Sequence, residues 1–453
     1  MKVTTLLIAS FVSCTAFAQS FTGTWNGELK VQNMKLKVVF HLKSENDKWS
    51  GTMDSPDQGA KNIPIQKVQV KKDSVFISDS RISMNYKGKL VNDQILGKFE
   101  QGIFITNLDL NKGEVKPPNR PQTPVAPFAY KAEDLEIKNL KDNVTLAGTL
   151  TLPNQTKKAP LLVLISGSGA QDRDETLFHH KPFAVIADFF TKNGYAVFRF
   201  DDRGTAKSSG NFLEATSFDF ANDVDAIVTE LAKRADINAK KIGLIGHSEG
   251  GIVAGITAAK NKKVSYIISL AGPGVSGKDI LELQSYLIGK EMGLPEEQLQ
   301  QAKKSNLMLY DFIMAENWTD FNTCANNVID KYKLEQPEIA KFKNEELMDQ
   351  IVPKNAKWFK TFLETDPKEF YQQLKIPVLA LNGEKDIQVS ADQNITALQT
   401  VFKNKKSASK VYPNLNHLFQ NAKTGATSEY GEIEETFSEE VLHDVLNWLN
   451  RFN

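Results

Sequence analysis

"KIGLIGHSEGGIVAGITAAK", residues 241–260, runs from an apolar stretch through a glycine-flanked serine into a series of small residues. Ile242, Leu244 and Ile245 form the kind of short apolar run that is buried in a parallel sheet. Gly251, Ala254, Gly255 and Ala258 follow at helical spacing. Between them Gly246-His247-Ser248-Glu249-Gly250 fits the G-x-S-x-G nucleophile elbow, a sharp strand-to-helix turn that exposes its serine. Such a turn strains the backbone of its central residue, and side chains two positions away collide unless they are glycine. A nucleophilic serine also needs a base, an acid and an oxyanion hole. Those decide whether Ser248 is a nucleophile or a serine in a plain glycine-rich turn.

Outward from this stretch, strands and helices alternate from about residue 130. APLLVLI (159–165), YAVFRF (195–200) and VSYIISLAG (264–272) read as buried strands. PFAVIADFFTKNG (182–194) and FANDVDAIVTELAKR (220–234) read as the helices between them. VTLAGTLTLP (144–153) reads as an antiparallel edge strand. This rhythm predicts an α/β fold with a doubly wound, mostly parallel sheet. It breaks over about 275–373, where helical stretches such as KDILELQSYLI and AKWFKTFLE predict an inserted helical cap. The sheet resumes with IPVLALNG (376–383) and KVYP (410–413) before a last helix.

Ligands of open parallel sheets bind beyond the carboxyl ends of the strands, so the residues after each strand are the test. Ser166-Gly167-Ser168-Gly169-Ala170-Gln171-Asp172 follows LLVLI, Asp201-Asp202-Arg203-Gly204 follows YAVFRF, and Ser248 follows KIGLI. Glu384-Lys385-Asp386 follows PVLALNG, and Asn414-Leu415-Asn416-His417 follows KVYP. Serine, acid and histidine thus occur in the α/β-hydrolase order, each just past its strand.

GSGAQDRDE, FDDRG, GHSEGG, NGEKDIQV and NLNHLFQ together resemble the blocks of an α/β-hydrolase-fold serine hydrolase with a helical cap. The resemblance is to the bacterial carboxylesterase branch, which is similar to prolyl-oligopeptidase-like hydrolases, and covers about residues 140–453. It implies a Ser-His-Asp triad. His417 is the candidate base: His247 adjoins the serine on a strained turn, His443 lies in the final helix, and His179 and His180 sit near a helix start. Asp386 matches the resembled pattern as the acid, with Glu384 and Asp392 as fallbacks. The oxyanion donors are the N–H groups of Glu249 and, by analogy, Ser168, with Gly169 as the alternative. Asp172, Arg173, Asp174 and Glu175, with Asp201, Asp202 and Arg203, are read as ion pairs joining two loops rather than as a site for a substrate carboxylate. Trp358, Phe359 and Phe362 are candidates for an acyl pocket, although aromatics at this spacing are more often cap core.

The remaining segments carry no chemistry. Residues 1–18 combine Lys2, an apolar stretch from Leu6 to Val12 and Ala16-Phe17-Ala18, the pattern of a secretory signal peptide. Cys14 as a lipidation site is the minor alternative, giving a lipid-anchored rather than a periplasmic or secreted protein. Cleavage after Ala18 leaves Cys324 alone, without an internal disulfide. Residues 20–112 alternate as strands, with Met34, Leu36, Val38, Phe40 and Leu42 on one face, and predict a small all-β barrel or sandwich. His41 falls on the polar face, where it is read as solvated. The five prolines from Pro117 to Pro127 mark 113–129 as a linker, leaving 130–453 as the hydrolase domain.

Equal numbers of basic and acidic residues, 55 each, give no basic footprint for nucleic acid and no polybasic membrane anchor. Metal, nucleotide and other cofactors are not indicated, because neither H-E-x-x-H, nor a cysteine pair, nor G-x-x-x-x-G-K occurs. The expectation is an exported serine carboxylesterase acting on a small-molecule ester through an acyl-enzyme. Its rivals are a serine peptidase of the prolyl-oligopeptidase-like type and a non-catalytic binding protein on the same scaffold.

Overall fold

The computed structural model describes residues 21–31, 34–56, 60–102, 104–114 and 118–452, so the leader reading of residues 1–18 lies outside the described residues. The chain divides into two compact units, Met1–Lys116 and Pro117–Asn453.

The first unit is one antiparallel sheet of β1 (Gly23–Val31), β2 (Met34–Glu45), β3 (Lys48–Ser55), β4 (Ala60–Pro64), β5 (Lys67–Lys71), β6 (Ser74–Asp79), β7 (Met84–Val91), β8 (Gln94–Gln101), β9 (Phe104–Asn107) and β10 (Leu110–Lys112). Its order is β4-β3-β2-β1-β10-β8-β7-β6-β5, with β9 on β8. Asn46-Asp47 and Asn92-Asp93 each take positive φ at both positions, the two-residue hairpin turn whose twist matches the flanking strands. β5 packs against β3, so the sheet curls around one apolar core containing Trp25, Phe40, Tyr86 and Ile95. His41 is not simply solvated. It is half-buried, with Nε2 2.9 Å from Asp54 Oδ2 and Nδ1 3.1 Å from Thr24 Oγ1.

The second unit holds β11 (Lys131–Asn139), β12 (Val144–Leu152), β13 (Ala159–Ile165), β14 (Ala196–Phe200), β15 (Ile237–His247), β16 (Val264–Leu270), β17 (Val378–Gly383) and β18 (Ala408–Tyr412). Their order is β11-β12-β14-β13-β15-β16-β17-β18. β11 and β12 run antiparallel and the strands from β14 to β18 are parallel. β13 shows why the strand is buried on both faces. Leu161, Val163 and Ile165 enter one core, and Leu162 and Leu164 enter the other.

α2 (Ser217–Leu231) and α3 (Glu249–Lys260) cover the first face, and α1 (Pro182–Lys192) and a C-terminal helix, Glu439–Leu449, cover the second. Between β16 and β17 lie α4 (Gly277–Glu291), α5 (Glu296–Ala315), α6 (Phe321–Glu335), α7 (Asn344–Ile351), α8 (Ala356–Glu364) and α9 (Lys368–Tyr371). This insertion has an apolar core of its own around Ile313, Val328 and Leu363, and it buries the free thiol of Cys324.

One expectation is corrected. β12 is not the edge strand, because β11 pairs along its whole outer side. β11 alternates charged residues with Leu135 and Ile137, a pattern weak enough to pass for a loop. The proline-rich stretch is held at defined points. The Arg120 guanidinium donates to the carbonyls of Phe178, Gly431 and Ile433 at 2.8–2.9 Å, and Gln122 bonds the main chain of Thr436 and Phe437. No helix among the described residues is long and apolar enough to cross a membrane.

Candidate active site

The parallel strands end level with one another, Ile165 beside Gly246 and His247 beside Leu270, so their following loops gather at one edge. Ser248 occupies the turn between β15 and α3 with φ 52° and ψ −123°, a strained backbone for a residue with a side chain. Its N–H donates to the Leu270 carbonyl at 2.9 Å, which pins the turn to β16. A Cβ at Gly250 would collide with the Ile165 carbonyl, so the helix can start this close to β13 only with glycine there. A Cβ at Gly167 would stand 3.1 Å from that of Ser248, which places the loop after β13 directly against the serine.

Glu249 opens α3, where the first N–H groups of a helix lack intrahelical acceptors. Glu249 and Ser168 both line the cavity at Ser248, whereas Gly169, at φ +100°, sits one residue beyond that lining. The buried His417 ring places Nδ1 2.7 Å from Asp386 Oδ2. Asp386 Oδ1 accepts the N–H groups of Gln388 and Val389, both at 2.8 Å, so each carboxylate oxygen is held. Glu384 and Asp392 are exposed and are not joined to His417. Asn416 fixes the His417 loop: its Oδ1 accepts from Leu418 and Gln420 at 3.0 and 2.9 Å. His443 instead meets the Phe189 ring at 5.1 Å.

The cavity above Ser248 measures about 270 Å³. Ile280 and Leu281 of α4 and Trp358, Phe359 and Phe362 of α8 make its apolar wall, so the cap aromatics face the serine. Trp358 lies stacked on Phe362 at 5.2 Å and donates through Nε1 to Glu249 Oε1 at 2.8 Å. Ser217 donates to the same oxygen at 2.5 Å, and burial pushes the Glu249 carboxyl up. The opposite wall is polar, with Glu175, His180, Gln388 and Thr436.

The loop charges are absorbed structurally. Arg173 grips Asp201 through Nε at 3.0 Å and Nη2 at 2.7 Å, and it does not line the cavity. Arg203 grips Asp223 through Nε at 2.6 Å and Nη2 at 2.8 Å. Asp202 accepts from Ser166 and from the Gln171 N–H, tying the loops after β13 and β14 together, and its burial raises the carboxyl well above its ordinary range.

His180 belongs to the cavity although it was set aside as a base. Its Nε2 lies 2.9 Å from the Tyr430 carbonyl and 3.0 Å from Gln420 Nε2, and its Nδ1 lies 2.9 Å from Thr436 Oγ1. Burial holds it down to about 4, against an ordinary 6.5. Between those values the unfolded chain binds the extra proton and the folded one does not, so stability falls as pH drops from 6.5 to 4. The loss is on the order of 2 kcal/mol, allowing for water at the cavity. Melting curves of the protein and of His180→Gln over that window are expected to show the shallower acid decline in the variant.

Strand order, elbow and insertion define an α/β-hydrolase of the serine-hydrolase class. The family model described as serine aminopeptidase, S33, matches residues 178–423, more than half of the chain. The chain belongs to that family. It is 22% identical over 329 residues to Esterase EstD of Thermotoga maritima, covering 72% of this chain and 69% of that one. Among solved structures it is similar to the alpha/beta hydrolase GrgF of Penicillium sp. sh18, at 19% identity and TM-score 0.46, over 71% of this chain and 98% of that one. It is likewise similar to the Pyrococcus furiosus esterase Pf2001, at 18% identity and TM-score 0.44, over 74% and 97%.

Proposed function

We propose that the protein is an exported serine esterase that cleaves short-acyl carboxylic esters of small molecules through an acyl-enzyme. The observation that carries this reading is the Asp386-anchored His417 imidazole sharing one cavity with the strained Ser248 elbow. Held with Nδ1–H toward Asp386, His417 presents Nε2 as the acceptor for the serine proton. Ser248 Oγ attacks the ester carbonyl while the N–H groups of Glu249 and Ser168 receive the developing oxyanion. His417 then returns the proton to the leaving alcohol and activates the water that releases the acid. The leader pattern in residues 1–18 supports export.

The family description favours a second reading, cleavage of an amino-terminal residue. An aminopeptidase needs an anion to meet the substrate ammonium. The two carboxylates lining the described cavity are already engaged, Glu175 by His247 and the Gly167 N–H, Glu249 by Ser217 and Trp358. Turnover is compared on p-nitrophenyl esters of two to twelve carbons and on aminoacyl anilides. Short esters are expected to turn over and anilides to remain intact. Anilide cleavage at comparable kcat/KM would establish the peptidase instead.

The apolar wall takes the acyl group in this reading, and Trp358 is the bulkiest side chain in it. In Trp358→Ala the optimum is expected to move to esters two to four carbons longer. kcat/KM on the acetyl ester is expected to fall on the order of tenfold.

A further inference from the structure

Beside the Asp386–His417 pair stands a second carboxylate–histidine pair that the ester mechanism does not use. His247, immediately before the serine, points Nδ1 at Glu175 Oε1, 2.8 Å away, and Nε2 at the main-chain oxygen of His417, 3.1 Å away. The same Glu175 oxygen accepts the Gly167 N–H at 2.8 Å. All of this is buried, and the His247 and His417 rings lie 4.8 Å apart.

A carbonyl oxygen has no proton to give, so His247 Nε2 must be the donor to His417. With Glu175 as a carboxylate, an acceptor only, Nδ1 is the donor to its facing oxygen, which also accepts the Gly167 N–H. Both ring nitrogens therefore carry protons, and the ring is an imidazolium against a carboxylate. Burial alone would lower the His247 proton affinity, yet Glu175, with the His417 carbonyl and Asp386, outweighs it and the net direction is upward. The other ionisable groups around the ring are His417 and, beyond it, Asp386, with Asp202 behind Glu175.

We propose that Glu175 and His247 are positioning residues, an ionised pair that binds the oxyanion loop at Gly167, the elbow before Ser248 and the main chain of His417 into one unit. The proposal rests on the esterase reading. The pair joins three loops whose relative placement governs attack, where a displacement of 1 Å costs about 10²-fold. It also sets a positive charge beside the base, the two rings 4.8 Å apart.

The test uses the protein labelled with ¹⁵N-histidine, with His247→Asn to assign its signals among the six histidines. At pH 8 both His247 nitrogens are expected to show the shifts of protonated nitrogens, and in Glu175→Gln one of them is expected to become a lone-pair nitrogen. In ester kinetics, Glu175→Gln and His247→Asn are expected to lower kcat about 10–100-fold with KM nearly unchanged. His247→Gln, which keeps a donor for the His417 carbonyl, is expected to recover part of that loss. His247→Asn leaves the Glu175 charge uncompensated, so its acidic limb is expected to move to higher pH. A neutral His247 in the parent at pH 8 overturns the proposal. So do variants whose kcat per folded molecule and acidic limb match the parent while only the Tm falls. The resonances need no substrate, so an inactive parent counts against the esterase while the state of the pair is still read.

Discussion

Ser248→Ala is expected to lower kcat on p-nitrophenyl butyrate by about 10⁵–10⁶-fold, with the melting temperature essentially unchanged. The side chain makes no packing contribution that the fold depends on; it stands at the cavity wall on a turn with φ 52°. Ser248→Gly separates the strain from the chemistry. It is expected to be equally inactive and more stable by about 1–2 kcal/mol, because glycine adopts that backbone freely. Residual turnover at a tenth of the parent rate in either variant would place the nucleophile elsewhere.

The second large effect is on stability. Arg203 and Asp223 are almost wholly buried, and the guanidinium also bonds Asp142 Oδ2 and the Asp219 carbonyl, both at 2.8 Å. Arg203→Leu leaves the Asp223 charge without its partner and is expected to cost about 3–5 kcal/mol. Thermal unfolding is expected to fall by on the order of 5–10 °C. Adding Asp223→Leu removes the stranded charge and is expected to recover much of the loss. A single variant within 1 °C of the parent would show that water or Asn139, which donates to Asp223 at 2.7 Å, compensates fully.

What was legible in the sequence was local or serial. The strand, Gly246-His247-Ser248-Glu249-Gly250 and the small-residue helix are one continuous stretch, so strand burial, steric demand and helix packing all act on neighbours. Asp386 and His417 are candidates by position, each just past an apolar strand run, and Asp386 also by the resembled pattern. What was not legible depends on residues far apart in the chain. Glu175 and His247 are separated by 72 positions, and Trp358 and Glu249 by 109, and no periodicity links either pair. In the sequence, His247 stands out only as a neighbour of the serine on a strained turn. The turn aims it between Glu175 and the main chain of His417. Pro-rich composition predicts stiffness, but Arg120 and Gln122 decide where the stretch lies, and their partners are some 58 to 315 residues away.

In the proposed reaction Ser248 forms the covalent intermediate. The most direct measurement treats the protein with a fluorophosphonate, with and without a competing short ester, and maps the adduct by peptide mass spectrometry. A single adduct on Ser248, slowed by the ester and absent in His417→Asn at matched times, is the predicted result. An adduct on another serine, or ester turnover that continues at the parent rate in a protein carrying no adduct, would contradict it.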